Sequence, residues 1–183
     1  MIRSSLTVVT PATGSVVCAA DLREHVRLYD NESDAMLSDF EKDAVDYIER
    51  YTSRYLLTTT VDLKLDYFPC VIELRRPPIQ SVTSITYLDA NGDSQTLASS
   101  KYTVDTDREP GLIKPAYGET WPTTYTEIQA VTVRFVCGYA DADSVPQGIK
   151  TAIKWHVSGN FNGCDNRERV NNYLDRFCWG ALT

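Results

Sequence analysis

The groups that could do chemistry are few, and none has the spacing that chemistry requires. There are two histidines, His25 and His156. A thiol–imidazole pair could be drawn from His156 and Cys164, and a metal site from His156, Cys164 and Asp165, but neither follows a known spacing of ligands or of nucleophile and base. Both histidines read as structural. The cysteines, Cys18, Cys70, Cys137, Cys164 and Cys178, are odd in number and hold no Cys-x-x-Cys pair. That pattern argues for free, mostly buried thiols in a reducing cytosol rather than a zinc site or a disulfide framework. Asp89-Ala90-Asn91-Gly92-Asp93 begins like a calcium loop. An EF-hand, however, needs glycine at the sixth position and glutamate at the twelfth, and Ser94 and Ser100 stand there. The segment reads instead as a hairpin turn. No P-loop, GxGxxG, GxSxG or HExxH motif occurs. The 25 acidic residues single out no acid–base pair. The sequence therefore names no catalytic residue, no metal ligand and no cofactor.

The chain that must position these groups has 183 residues, the size of one domain. With 43% hydrophobic and 23% charged residues it has the composition of a globular protein, not of a disordered tail. Its apolar runs are only a few residues long, far short of the roughly 18–20 that span a bilayer, so no membrane role is expected. Near the N-terminus, Leu6, Val8, Val9 and the run Val16 to Ala20 imitate a signal peptide. Pro11, Thr13 and Gly14 break the stretch, and secretion is not expected. The net charge is −7, which opposes a protein that grips DNA phosphates. Residues 1–57 carry −4, residues 58–144 carry −5 and residues 145–183 carry +2. Arg75-Arg76 is the one adjacent basic pair.

Periodicity divides the chain into three sections. Residues 19–57 predict two helices: a short one from Ala19 to about Tyr29, then a second capped by Asn31 or Ser33. In the second, Leu37, Phe40, Ala44, Ile48, Tyr51 and Tyr55 share one face, and Asp39, Glu41, Asp43, Asp46 and Glu49 form an opposite, solvated face. Residues 58–144 predict strands at 60–67, 71–74, 82–88, 95–97, 102–104, 112–113 and 131–136, an antiparallel sheet or small barrel. Residues 145–183 return to helix, with Pro146 in the first turn, Ile149, Ala152, Ile153 and Val157 in one stripe, and an interruption at Gly159 and Gly163. Val170, Tyr173, Leu174 and Phe177 then recur at helical spacing. The expected fold is α+β: a small helical bundle, built from two N-terminal helices and the C-terminal helices, with an inserted antiparallel β-sheet module. Residues 1–183 read as one domain.

The order and wording of these segments resemble the head–tail connector family of tailed phages, the adaptor or head-completion proteins. The resemblance rests on Ala20-Asp21-Leu22-Arg23-Glu24-His25-Val26-Arg27-Leu28, Tyr47-Ile48-Glu49-Arg50-Tyr51-Thr52-Ser53-Arg54 and Leu74-Arg75-Arg76-Pro77-Pro78-Ile79-Gln80-Ser81-Val82. Trp121-Pro122, Val131 to Phe135 with Gly138-Tyr139, and Val145-Pro146 complete it, over roughly residues 18–160. Residues 159–164 and the tail from Asp165 to Thr183 depart from the family's pattern. The resemblance implies a structural virion protein in the neck, present in the host cytoplasm during assembly. It implies a homo-oligomeric, dodecameric ring under the portal protein that extends the DNA channel and offers a rim to a stopper or tail protein. Genome DNA would pass without specific binding, and no enzyme activity is implied. In that setting Asp39, Asp43 and Asp46 are candidates to line the channel. Phe161, Arg167, Arg169, Tyr173, Arg176, Phe177 and Trp179 are candidates for the portal interface, being aromatic and arginine residues in the basic section. The alternative readings are a non-virion assembly factor that binds another protein and, third, an enzyme acting through an unrecognised carboxylate pair.

Overall fold

Alternating apolar side chains build the sheets. The computed structural model describes residues 4–178. Its strands are β1 (Ser4–Thr10), β2 (Thr59–Leu65), β3 (Ile72–Leu74), β4 (Ile79–Leu88), β5 (Ser94–Thr96), β6 (Tyr102–Asp105), β7 (Gly111–Pro115) and β8 (Val131–Cys137). They form a five-stranded sheet in the order β1-β2-β8-β4-β5 and a three-stranded sheet in the order β3-β7-β6, antiparallel throughout. In β2 the residues Val61, Leu63 and Leu65 point inward, and in β8 so do Val131, Val133, Phe135 and Cys137; all are buried. This is the period of two that a half-buried strand requires. On the outer face of the same pair, Asp62 and Arg134 stand directly opposite each other. In β7, a Cβ on Gly111 would lie 2.9 Å from Ile79 Cγ1 of β4, so the small sheet comes this close only where the side chain is missing. The segment 89–93 is a hairpin turn: Asp89 Oδ1 accepts the N–H groups of Asn91 (2.9 Å) and Asp93 (3.1 Å), and Gly92 takes φ +88°.

The helices are α1 (Ala19–Val26), α2 (Asp34–Thr52), α3 (Gln147–Asn162) and α4 (Arg167–Leu174), the last followed by a 3-10 turn at Asp175–Phe177. Leu22, Leu37, Ala44, Ile48, Ile149, Ala152, Ile153, Val157, Val170 and Leu174 are fully buried and make their common core. The chain divides into two compact units, a sheet unit of residues 4–12 and 58–138 and a helical unit of residues 13–57 and 139–178.

The structure corrects the sequence reading in several places. Residues 4–10 form a strand, which the signal-peptide-like look of the segment conceals. Helix α1 stops at Val26 because Arg27 turns left-handed at φ +61°, short of Tyr29. Pro146 is the N-cap of α3, one residue outside the first turn. Gly159 does not interrupt α3, which runs on to Asn162. A Cβ at Gly159 would meet the Asn166 side chain at 2.5 Å, so the glycine makes room for the chain leading into α4. Glu41 is not on a solvated face; it is 3% exposed. The thiols are free, but Cys18, Cys70 and Cys164 are exposed and Cys178 half-buried, leaving only Cys137 buried.

Candidate functional site

Helix α4 and the 3-10 turn after it carry five of the seven candidate interface residues, and their placement determines what these offer. Its start is set by Asp165, whose Oδ1 accepts the Arg167 N–H (3.0 Å), and by Asn166, whose Nδ2 donates to the Trp155 carbonyl at 2.5 Å. Val170 and Leu174, one turn apart, are the apolar stripe that buries against the other helices. Three contacts then tie this segment to α2 and to Arg54 just past it. The Tyr47 hydroxyl donates to Asn171 Oδ1 (2.6 Å), the Tyr51 hydroxyl to Asp175 Oδ1 (2.5 Å), and Arg54 Nε to the Phe177 carbonyl (2.7 Å). The bond to Asp175, with burial adding to it, pushes the Tyr51 phenol up to about 12.

Four candidates form one cluster on this scaffold. The Arg169 guanidinium lies 4.0 Å from the centre of the Trp155 ring, and Trp155 meets Tyr173 edge-on at 4.9 Å. Arg176 lies over Tyr173 (4.1 Å) and Phe177 (4.9 Å). The Phe177 ring sits against Gly148 of α3, where a Cβ would come within 2.6 Å of it. Tyr173 and Phe177 are thus half-buried within the helical unit, while Arg167, Arg169 and Arg176 remain exposed. Phe161 is half-buried on the last turn of α3 and makes no ring contact with this cluster. Trp179 lies outside the described residues. Sequence reasoning missed Trp155, Asn166, Tyr47 and Arg54 as members of this arrangement. Tyr47 and Asn171 are 124 residues apart, so no local pattern announces the pair.

The three acidic candidates stand on α2 and differ in their surroundings. Asp39 is paired with Lys42 (2.9 Å) and Asp46 with Arg50 (3.0 Å), both within the helix and exposed to solvent. Asp43 faces α3, accepting a bond from Asn160 Nδ2 (3.1 Å) with His156 Nε2 at 3.4 Å. His156 is 3% exposed and stacks on Tyr47 at 4.8 Å. Cys164 donates instead to the Asn162 carbonyl, so the imagined thiol–imidazole pair does not form. Glu41, on the same helix, accepts the N–H groups of Val16 (2.8 Å) and Val17 (3.4 Å). Burial raises its pKa, opposed by those two bonds and by Lys42. Among the described residues, no group of three or more His, Cys, Asp or Glu is placed to hold a metal ion, and no helix is long and apolar enough to cross a membrane.

No family model matches the sequence, and no curated protein matches it. Solved structures do. A chain in the neck of an empty gene transfer agent particle, computed with C6 symmetry, superposes with a TM-score of 0.77 at 21% identity, over 95% of both chains. A chain in the virion of the native gene transfer agent gives 0.76 at 21% identity, over 94% of both. One in the neck of the native particle, computed with C12 symmetry, gives 0.76 at 21% identity, over 95% of this chain and 94% of that one. The chain therefore has, over 95% of its length, the fold of a chain found in the neck of such a particle. The helices and antiparallel sheets are the α+β fold that the periodicity predicts, and the neighbours support the resemblance to head–tail connectors.

Proposed function

We propose that this chain is a structural protein of the virion neck: a head–tail adaptor that forms a dodecameric ring under the portal protein, extends the DNA channel and presents a rim to a stopper or tail protein. The observation that carries this reading is the fold match, over 94–95% of both chains, to chains in necks computed with C6 and C12 symmetry. A ring closes through contacts between unlike faces of neighbouring subunits. The net charge of −7 supports passage of DNA without binding, since like charge repels the phosphate backbone. Asp39, Asp43 and Asp46 are proposed to face the channel, and Phe161, Arg167, Arg169, Tyr173, Arg176, Phe177 and Trp179 to meet the portal. The fold match gives the alternative, an assembly factor outside the particle, no comparable support.

Quantitative mass spectrometry of mature particles tests the reading by comparing copies of this chain with copies of the portal protein. A ratio near one is expected. Particles that contain portal and tail but lack this chain would overturn the proposal and leave the assembly factor.

A further inference from the structure

The five-stranded sheet has two edges, and they are unlike. On the β4 side the pairing with β8 shifts register twice, between Ile79 and Ser81 and between Val82 and Ser84, and the short β5 with its acidic turn covers the rest. Bulges and charges of this kind keep a further strand from adding. On the other side, β1 pairs with β2 in unbroken register from Ser4 to Val8, and among the described residues no strand pairs with its far side. Its sequence, Ser-Ser-Leu-Thr-Val-Val-Thr, holds no charge and no proline, and β-branched residues fill four of its seven positions. Apart from the shift between Val8 and Thr10, nothing in it blunts the edge.

A second observation lies on the inner face. The register Leu6↔Leu63 and Val8↔Val61 puts Leu6 and Val8 on the core side of the sheet. Yet Leu6 is only half-buried and Val8 is 43% exposed, whereas Leu63 is 3% and Val61 0% exposed. Beside them opens a groove of about 290 Å³ whose apolar walls are Leu63, Leu65, Pro69, Val71 and Ile72, with Ser4, Glu73 and Arg75 adding polar groups. The core side of the sheet is thus uncovered along the same edge whose backbone is unpaired.

The geometry points to β1 as a strand-addition site: an extended segment of another neck protein, with alternating apolar and polar residues, pairs with its free edge. The alternate apolar side chains of that segment cover Leu6 and Val8 and enter the groove, while its polar ones lie beside the hydroxyls of Ser5 and Thr7. The inference rests on the neck reading proposed above. A second copy of this chain is a poor donor. Its other open edges, β3, β5 and β6, are three or four residues long, and the part of β4 that β5 leaves unpaired is broken by two register shifts. Pairing of β1 with itself is two-fold and ends at a dimer, so it cannot close a ring.

Two measurements on intact particles test this. Hydrogen exchange of the β1 peptide, compared between the purified chain and the particle, is expected to slow by at least about tenfold on assembly. A photo-crosslinking amino acid at Val8 is expected to join β1 to a different protein, identified by its cross-linked peptide. Val8→Lys, which places a charge where the added strand must lie, is expected to leave a folded chain still present at the portal's copy number, in particles that lack the donor. Exchange that stays as fast in the particle as in the free chain, or a crosslink to a second copy of this chain, overturns the inference while the neck reading stands. Absence of the chain from wild-type particles overturns both.

Discussion

Two carboxylates, one in each unit, show how differently the two halves of the molecule use charge. In the sheet unit, Asp62 and Arg134 meet across β2 and β8 in a two-pronged pair, both bonds 2.8 Å, on the outer face. The Arg134 hydrogen bonds hold Asp62 below the usual carboxylate range. In the helical unit, Glu41 is enclosed and accepts two backbone N–H groups where the chain leads into α1. Burial moves its pKa the other way. The sheet holds its strands by an apolar interior that alternation alone supplies, and on its other face a largely covered Asp62 is paired with an exposed Arg134. The helical unit holds the segment before α1 and the segment after α4 by buried or half-buried polar groups of α2 and the residues just past it.

The largest expected effect breaks the helical side of this comparison. Val170→Asp places a carboxylate with no partner among fully buried side chains. The cost is several kcal/mol, a large share of the roughly 5–15 kcal/mol that holds a domain. Circular dichroism and a denaturant titration are expected to show lost helix and aggregation. Removal of residues 165–183 is expected to do the same, because Val170 and Leu174 go with it. A deleted chain that stays folded and merely fails to join the portal would assign α4 to anchoring alone.

Next is the sheet interior. Phe135 is the largest fully buried side chain among the described residues, and Phe135→Ala is expected to cost about 3–5 kcal/mol by urea denaturation. A loss under about 1 kcal/mol would mean that the surrounding side chains collapse into the space.

Glu41 sharpens the contrast. Glu41→Ala leaves the buried N–H groups of Val16 and Val17 without an acceptor and is expected to cost about 1–3 kcal/mol. Glu41→Gln keeps an acceptor oxygen and removes the buried charge. Because the folded pKa lies above 4.5, ionisation disfavours the folded form. The penalty is absent below about pH 4.5 and grows as pH rises through the folded value. Glu41→Gln is therefore expected to gain on the wild type as pH rises from 4 to 7. A difference that does not change with pH would refute the burial argument.

The smallest effect, of opposite sign, belongs to Asp62. Its folded pKa lies below 3.8, so its contribution is present above that pH and is lost as pH falls through the folded value. Asp62→Asn is expected to lose a little stability at neutral pH and none at strongly acid pH, and the loss should shrink in high salt because Arg134 is well exposed. A loss as large as that of Phe135→Ala would make the pair a structural necessity.

What was legible in the residues follows from the range of the interactions. Alternation in Val131 to Val136 and the three- and four-residue steps in α2 are local consequences of strand and helix geometry, so the α+β class, most strands and all four helices could be read directly. The hairpin at Asp89 to Asp93 was legible for the same reason, since its bonds close within four residues. The candidate site was less legible: the arginines and aromatics near the chain end stood out by type, but their partners did not. The β1 strand was hidden because its pairing residues lie some sixty positions away in β2 and its own apolar residues occupy both faces. Glu41 looked like one more acid on a polar stripe, since only the folded chain brings Val16 and Val17 over it. By itself, then, the sequence determined the periods, the turns and the charge balance. Only the tertiary structure decided which polar groups would be enclosed and which edge left open, because burial depends on the elements that pack alongside and not on the spacing within one of them.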